Sequence, residues 1–307
     1  MIQGSVIILN YNTSKLTLNA LQSIEKKVID FDKYEIIIVD NASEKEDFEA
    51  LKNGLNSFGI GFVKLIRSKI NVGFGAGNMI GVQNAIGNFY IFMNSDVLLL
   101  EDSFSEMISF LNKNPNASMV GCQAVNENGE PFKAFDYNLS LKSELLSDSL
   151  LQIINPKKYF PRMLKTKNPI KVGAIPGSLF TCVAKDFDEI GGFDTSIFLY
   201  YEEKDLAFRI QKKLKKDIYS LPFLTYIHLK GKSTKPSQKI RNEMKISQFY
   251  VIQKNLGSIK YKFFYFSQLS IFVLKSLFSK KNRSYLILLL NGISVAKSIK
   301  HSQKIIK

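Results

Sequence analysis

Three short apolar runs in the first hundred residues each stop abruptly at Asn or Asp. Ser5-Val6-Ile7-Ile8-Leu9 runs into Asn10-Tyr11-Asn12, and Glu35-Ile36-Ile37-Ile38-Val39 into Asp40-Asn41-Ala42-Ser43. Phe89-Tyr90-Ile91-Phe92-Met93 runs into Asn94-Ser95-Asp96. Runs of this length, rich in β-branched and aromatic residues, predict buried strands. Residues 63–66 predict a further strand without such an ending. Between the runs lie segments of helical spacing, with Leu18, Leu21 and Ile24 in residues 16–28, then residues 46–55. Strand alternating with helix predicts βα units, hence an α/β fold with a largely parallel sheet flanked by helices. In such sheets ligands bind beyond the carboxyl ends of the strands. Asn10, Asp40 and Asp96 are therefore expected along one edge.

The Gly-rich stretch Asn71-Val72-Gly73-Phe74-Gly75-Ala76-Gly77-Asn78 leads into a helix expected to reach Ile86. Its glycines admit close approach of backbone to a ligand. It has no P-loop lysine, and its spacing is GxGxG rather than GxGxxG. Further on, Gly191-Gly192-Phe193-Asp194 reads as a turn, residues 205–214 as a helix and residues 217–221 as a short strand followed by His228. Cys122 and Cys182 lack metal-ligand spacing and read as buried thiols of a reducing compartment. Residues 1–10 lack a basic region and a cleavage site, so no signal peptide is expected.

Of the 42 basic and 27 acidic residues, sixteen and one fall in residues 231–307, so the preceding chain is neutral and the net charge of +15 sits in the last quarter. That distribution predicts a neutral body with a basic attachment segment and argues against nucleic acid as partner. The uncharged stretches 263–274 and 284–296 are shorter than the roughly 20 residues that cross a bilayer. Basic amphipathic helices lying on an anionic membrane surface suit this composition. The alternative is a helical pair packed on the catalytic body or on a second subunit of a homo-oligomer.

Each polar position has two readings from spacing alone. Asp96 is either a ligand for a hard divalent cation or a turn residue. Asp40 is either a partner for a nucleoside or a loop cap. In Glu202-Glu203-Lys204-Asp205 the adjacent acids either supply a general base or stabilise a helix N-terminus. His228 is either a cation ligand or a hydrogen-bonded surface imidazole.

Taken together, these segments resemble the family-2 inverting glycosyltransferases of the GT-A (Rossmann-like) fold, closest to the rhamnosyltransferase-like branch of bacterial surface polysaccharide synthesis. The resemblance implies a mixed, mostly parallel sheet flanked by helices. The resemblance covers residues 5–233, ending with His228 and Ser233, and places a catalytic domain at 1–233, with a nucleotide-binding half (about 1–100) and an acceptor half (about 101–233). Residues 234–307 then form the basic helical tail. The resemblance implies that Asn10, Asn12, Asp40, Asn41 and Ser43 line the nucleoside pocket, and that Asn71, Gly73, Phe74 and Asn78 contact nucleotide and donor sugar. It implies that Ser95 and Asp96 belong to the metal-binding triplet, with Asp96 and His228 as ligands of Mg²⁺ or Mn²⁺. Gly177 and Asp205 lie on the acceptor side, and Glu203, or Glu202 before it, is the base. The triplet commonly reads Asn-Pro-Asp, and Ser95 replaces the proline; the acidic motif commonly reads Glu-Asp, and Glu203 adds a methylene. The implied partners are a dTDP- or UDP-sugar donor and a glycan or lipid-linked saccharide acceptor of lipopolysaccharide or capsule synthesis. The implied location is cytoplasmic, peripheral at the inner face of the cell membrane. The competing expectation is a catalytically idle nucleotide-sugar-binding or membrane scaffold protein.

Overall fold

A computed structural model describes residues 2–56, 58, 63–163, 166–231 and 237–306. Ser233 lies outside the described residues. The chain alternates β1 (Gly4–Asn10), α1 (Ser14–Lys27), β2 (Tyr34–Asp40), α2 (Lys45–Leu55), β3 (Val63–Arg67), α3 (Phe74–Val82) and β4 (Phe89–Asn94). There follow β5 (Val97–Leu99), α4 (Ser103–Lys113), β6 (Ala117–Val125), α5 (Leu141–Leu145), α6 (Asp148–Ile154), β7 (Ile170–Lys171) and β8 (Leu179–Val183). The body closes with α7 (Ala184–Glu189), α8 (Glu202–Arg209) and β9 (Asp217–His228), and the tail is α9 (Gln238–Leu256), α10 (Ser258–Ser276) and α11 (Lys280–Leu290).

The strands form one sheet in the order β3-β2-β1-β4-β8-β6-β9-β5, with β7 beside β9. The first four strands are parallel, as the βα alternation requires. β8 enters antiparallel between β4 and β6, and β9 runs parallel to β6. Strand alternation sorts side chains to the two faces. Val6 and Ile8 join the core under α1 and α4, with Leu21, Ile24, Phe104 and Ile108. Ile7 and Phe92 face the opposite core under α3, α7 and α8. There Phe92 packs on Phe180, Phe193 and Phe187 at centroid distances of 4.9, 5.0 and 5.2 Å. Cys122 and Cys182 are buried and unpaired, and burial pushes both thiols above their usual range.

Two elements depart from the local pattern. α3 ends at Val82 rather than reaching Ile86, because Asn84 and Ala85 donate to carbonyls only three residues back, tightening into a turn. β9 continues to His228, well past Leu221. Pro222 has no N–H to give the ladder, and the register with β6 skips from Leu221 opposite Cys122 to Thr225 opposite Gln123. The strand then resumes, which carries His228 to the same edge as the ends of β1, β2 and β4.

The tail is held against the body. Ile246, Phe249 and Ile252 of α9 share a core with Ile197 and Leu139, and with Phe264 of α10 and Leu289 of α11. Ser247 Oγ donates to Leu199 O at 2.8 Å. The final residues return to the body, where the Ile306 amide donates to Lys69 O at 2.8 Å. Among the described residues no helix is long and apolar enough to cross a membrane.

Candidate active site

The ends of β1 and β2 are locked by one amide. Asn10 Nδ2 is shared among Asp40 Oδ1 (2.9 Å), Ser43 Oγ (3.1 Å) and Asp47 Oδ2 (3.1 Å). Its Oδ1 accepts from Thr13 and Thr17 hydroxyls at 3.1 and 2.8 Å. Asp40 is fully buried; its Oδ2 accepts from the Ser43 amide at 3.2 Å and lies 3.4 Å from Arg67 Nε. Arg67, at the end of β3, also donates to Ser43 O at 3.0 Å and stacks on the Phe48 ring at 3.9 Å. Asn12 and Ala42 take positive φ, 54° and 66°, turning the chain sharply after each strand. Asn12 ties the two turns together: its amide donates to Ser43 Oγ at 2.9 Å, and its side chain accepts from the Glu44 amide at 2.8 Å.

The Gly-rich turn is fastened to β2 by Asn41. Its Nδ2 donates to Asn71 Oδ1 and Gly73 O at 3.0 and 3.1 Å, while its Oδ1 accepts from the Val72 amide at 3.0 Å. Gly73 has φ of 89°, and an added Cβ would lie 2.2 Å from Phe198 O. The Phe74 amide donates to that same carbonyl at 2.8 Å, joining the start of α3 to the loop before α8. Asn78 Nδ2 caps Phe74 O at 3.0 Å.

Asp96 follows β4 and is 1% exposed, yet neither carboxylate oxygen has a hydrogen-bond partner. His228 Nε2 lies 3.3 Å from Oδ1, within ion-pair reach. The pairing of Val97 with His228 across β5 and β9 sets this meeting, and the Leu229 amide donates to Asp96 O at 2.9 Å. Ser95 accepts from Thr13 Oγ1 at 3.1 Å, which ties this turn back to β1. A buried unpartnered carboxylate is expensive. One carboxylate beside one imidazole supplies hard oxygen and borderline nitrogen donors of the kind that suit Mg²⁺ or Mn²⁺.

Glu202 and Glu203 open α8 behind Tyr200 and Tyr201, both in the left-handed region at φ of 67° and 70°. Such turns cost about 1–3 kcal/mol per residue and persist only where neighbours enforce them. Here Glu144 of α5 does so: it accepts from Tyr201 OH (2.8 Å), Lys204 Nζ (3.1 Å) and Gln248 Nε2 of α9 (2.8 Å). Burial pushes the Glu144 carboxyl up, but Lys204, Gln248 and Tyr201 together hold it below the usual range. Glu203 Oε2 and Glu202 Oε2 are buried without partners. Glu202 is tucked under α3, where a Cβ on Gly75 would sit 3.7 Å from its own. Burial, then the adjacent Glu203, raises its carboxyl well above the usual range. Glu203 faces Gly177, where an added Cβ would lie 3.8 Å from its Cδ and 3.7 Å from the Phe74 ring. Burial pushes Glu203 up to about 7, reinforced by Asp136.

Gly177 is thus flanked by Phe74 and Glu203, and its neighbour Ser178 accepts from the Asn94 amide at 2.9 Å, two residues before Asp96. This chain of contacts joins the Gly-rich turn, the end of β4 and the acidic turn. Asp205 stands apart. Its oxygens pair with Arg209 (2.7 Å), Lys254 (2.8 Å) and Asn255 (2.8 Å), which fastens α8 to α9 rather than facing an acceptor. Thr13, Thr17, Arg67 and Glu144 complete the arrangement without having been singled out from sequence. Arg67 was discoverable, since it ends an apolar run as Asp40 does. A cavity of about 550 Å³ lies against α11, not over these carboxylates.

A parallel βα half with polar strand ends and a glycine-lined helix start defines an α/β protein with the GT-A fold. The pattern of Glycosyl transferase family 2 matches residues 5–183, more than half the chain, and the protein belongs to that family. It is 22% identical over 172 residues to the poly(ribitol-phosphate) β-N-acetylglucosaminyltransferase TarS of Staphylococcus aureus, covering 55% of this chain and 29% of that protein. The chain therefore spans less than a third of that relative. Among solved structures, GalNAc-T7 with UDP, GalNAc and Mn²⁺ superposes with a TM-score of 0.62 at 18% identity, over 95% of this chain and 56% of that one. The mannosyltransferase PcManGT of Pyrobaculum calidifontis, with GDP-Man and Mn²⁺, gives 0.60 at 13% identity, over 96% and 86%.

Proposed function

We propose that this chain transfers a sugar from a UDP- or dTDP-sugar to a hydroxyl of a glycan or lipid-linked saccharide, with inversion at the anomeric carbon. The observation that carries the reading is two acids with buried oxygens that make no hydrogen bond, Asp96 beside His228 at the sheet edge and Glu203 beside Gly177 at the start of α8. Family membership and the nucleotides bound by the neighbours support it.

In this reading Asn10, Asn12, Asp40, Asn41 and Ser43 shape the nucleoside end, with Asp40 held rigid by Asn10 and Arg67. Asn71, Gly73, Phe74 and Asn78 hold the diphosphate and donor sugar. Asp96 and His228 would hold Mg²⁺ or Mn²⁺, which would supply positive charge against the negative charge of the leaving diphosphate. Glu203 takes the proton of the acceptor hydroxyl. The hydroxyl oxygen bonds to the anomeric carbon while the bond from that carbon to the diphosphate oxygen breaks, through an oxocarbenium-like transition state. A carboxyl raised to about 7 is matched to accepting a proton near neutrality. Gly177, without a side chain, keeps the acceptor end between Phe74 and Glu203 free of a Cβ.

The body at 1–233 acts as the catalytic unit and the helices of 234–307 as its membrane-facing side. On α10, Ile259, Phe263, Phe266, Val273, Leu274 and Leu277 are all exposed. At about 100° per residue they form one stripe about 100° wide, with Lys260 and Lys262 along its two borders. Such a face lies in a membrane interface. Incubation of purified protein with a panel of nucleotide sugars and Mn²⁺, read by release of free nucleotide diphosphate in the presence of acceptor, tests the reading. Turnover by wild type that Glu203→Gln abolishes is expected; no turnover with any donor, or full turnover by the variant, refutes it.

A further inference from the structure

The tail carries a concave surface that the proposed sugar transfer does not use. A shallow, open cavity of about 550 Å³ is lined by one face of α11, namely Lys280, Arg283, Ser284, Ile287, Leu288 and Asn291, and is flanked by Asn242 of α9 and by Lys297. Its volume falls within the roughly 300–1,000 Å³ of ligand sites. Three cations line it and no acid does. Like charges around a common space repel one another unless an anion lies between them. Asn242, Ser284 and Asn291 add uncharged donors, while Ile287 and Leu288 make one wall apolar. The one acid of the tail, Glu243, does not line the cavity: it is buried, and accepts from Ser298 Oγ at 2.6 Å and the Ile299 amide at 2.9 Å.

Arg283 is held ready, since its Nε donates to Ser276 O at 2.8 Å and so anchors the guanidinium at the α10–α11 corner. Lys297 is likewise tethered, to Asn291 O. Ile287 and Leu290, 57% and 64% exposed, continue the apolar wall onto the outer surface of α11. A cationic cavity with an apolar lip has the chemistry of an anionic amphiphile: a phosphate for Lys280, Arg283 and Lys297, and a hydrocarbon chain for Ile287 and Leu290.

We infer that this cavity binds the phosphate head group of an anionic phospholipid and so orients the protein on the bilayer. The inference rests on the membrane-facing reading of the tail and adds to it a discrete head-group site. Charge alone would attract the basic tail diffusely. A cavity predicts that three particular cations outweigh three others.

The test is co-sedimentation of the full chain with phosphatidylcholine vesicles, with and without phosphatidylglycerol. Three proteins are compared: wild type, a cavity variant (Lys280→Gln, Arg283→Gln, Lys297→Gln) and a variant of equal net charge on the far body (Lys26→Gln, Lys27→Gln, Lys52→Gln). The single Lys280→Glu variant guards against misfolding of the triple one, and the melting temperature of each protein verifies its fold. Phosphatidylglycerol-dependent binding should fall about tenfold or more in both cavity variants and stay within about twofold of wild type in the charge control. An equal fall in cavity and control variants, or none in the cavity variants, overturns the head-group site while leaving membrane attachment standing. Wild type that sediments with neither vesicle overturns both.

Discussion

At the scale of single residues, the account turns on carboxylates with contrasting surroundings. Asp40 is saturated with hydrogen-bond partners, whereas Asp96 and Glu203 each keep buried oxygens that make no hydrogen bond. Glu203→Gln preserves shape and removes the base, so turnover should drop about 10²–10⁴-fold while donor binding holds, as general-base losses typically run. The sign of the pH dependence follows from the same group. Glu203 must be ionised to accept a proton, and its carboxyl is raised to about 7. Turnover of wild type should therefore rise about tenfold per pH unit below that value and level off above it. A limb that breaks near the ordinary glutamate range, about 4.3, would assign the base elsewhere. Gly73→Ala tests the loop junction. A methyl 2.2 Å from Phe198 O at φ of 89° must displace the segment leading to α8, so melting temperature and turnover should fall together.

At the scale of elements, α5, α8 and α9 meet at one buried carboxylate. Glu144 holds the left-handed Tyr200–Tyr201 turn and therefore the direction in which α8 presents Glu203. Removing one partner of a buried charged network costs about 3–5 kcal/mol. Glu144→Ala should lower denaturant stability by about that amount and reduce kcat more than donor affinity. Because its carboxyl is held low in the fold, this stabilisation is present above the ordinary glutamate range and fades as pH falls through the folded value. Equal acid sensitivity of wild type and Glu144→Ala would contradict it. None of this was legible from sequence, because Glu144 lies in a five-residue helix within an irregular stretch, and its partners are 57 to 104 residues away. The strand ends were legible because strand period and Asx turns are local chemistry. The antiparallel entry of β8 and the resumption of β9 after Pro222 depend on long-range pairing, which periodicity does not encode.

At the scale of the whole molecule, the basic tail is both packing partner and outer face. Composition placed all the excess charge there, but charge does not reveal that Ile246, Phe249 and Ile252 complete a core with Ile197. It also does not reveal that Asp205, which the family resemblance puts on the acceptor side, pairs with Arg209 and Lys254 to bind tail to body. A chain ending before α9 should expose this apolar surface and leave Asp205 and Glu144 short of partners. It should aggregate on expression or melt well below the full protein; an equally stable, soluble truncation would show the tail to be dispensable for the fold.

The central claim is that the strand ends form a nucleotide diphosphate site completed by a cation on Asp96. Calorimetric titration of wild type and Asp96→Ala with UDP and with dTDP, each with and without Mn²⁺, tests it most directly. Wild type should bind at least one nucleotide far more tightly when Mn²⁺ is present, and Asp96→Ala should lose that enhancement while keeping its fold. Nucleotide affinity indifferent to Mn²⁺, or the same Mn²⁺ enhancement in Asp96→Ala, would contradict it.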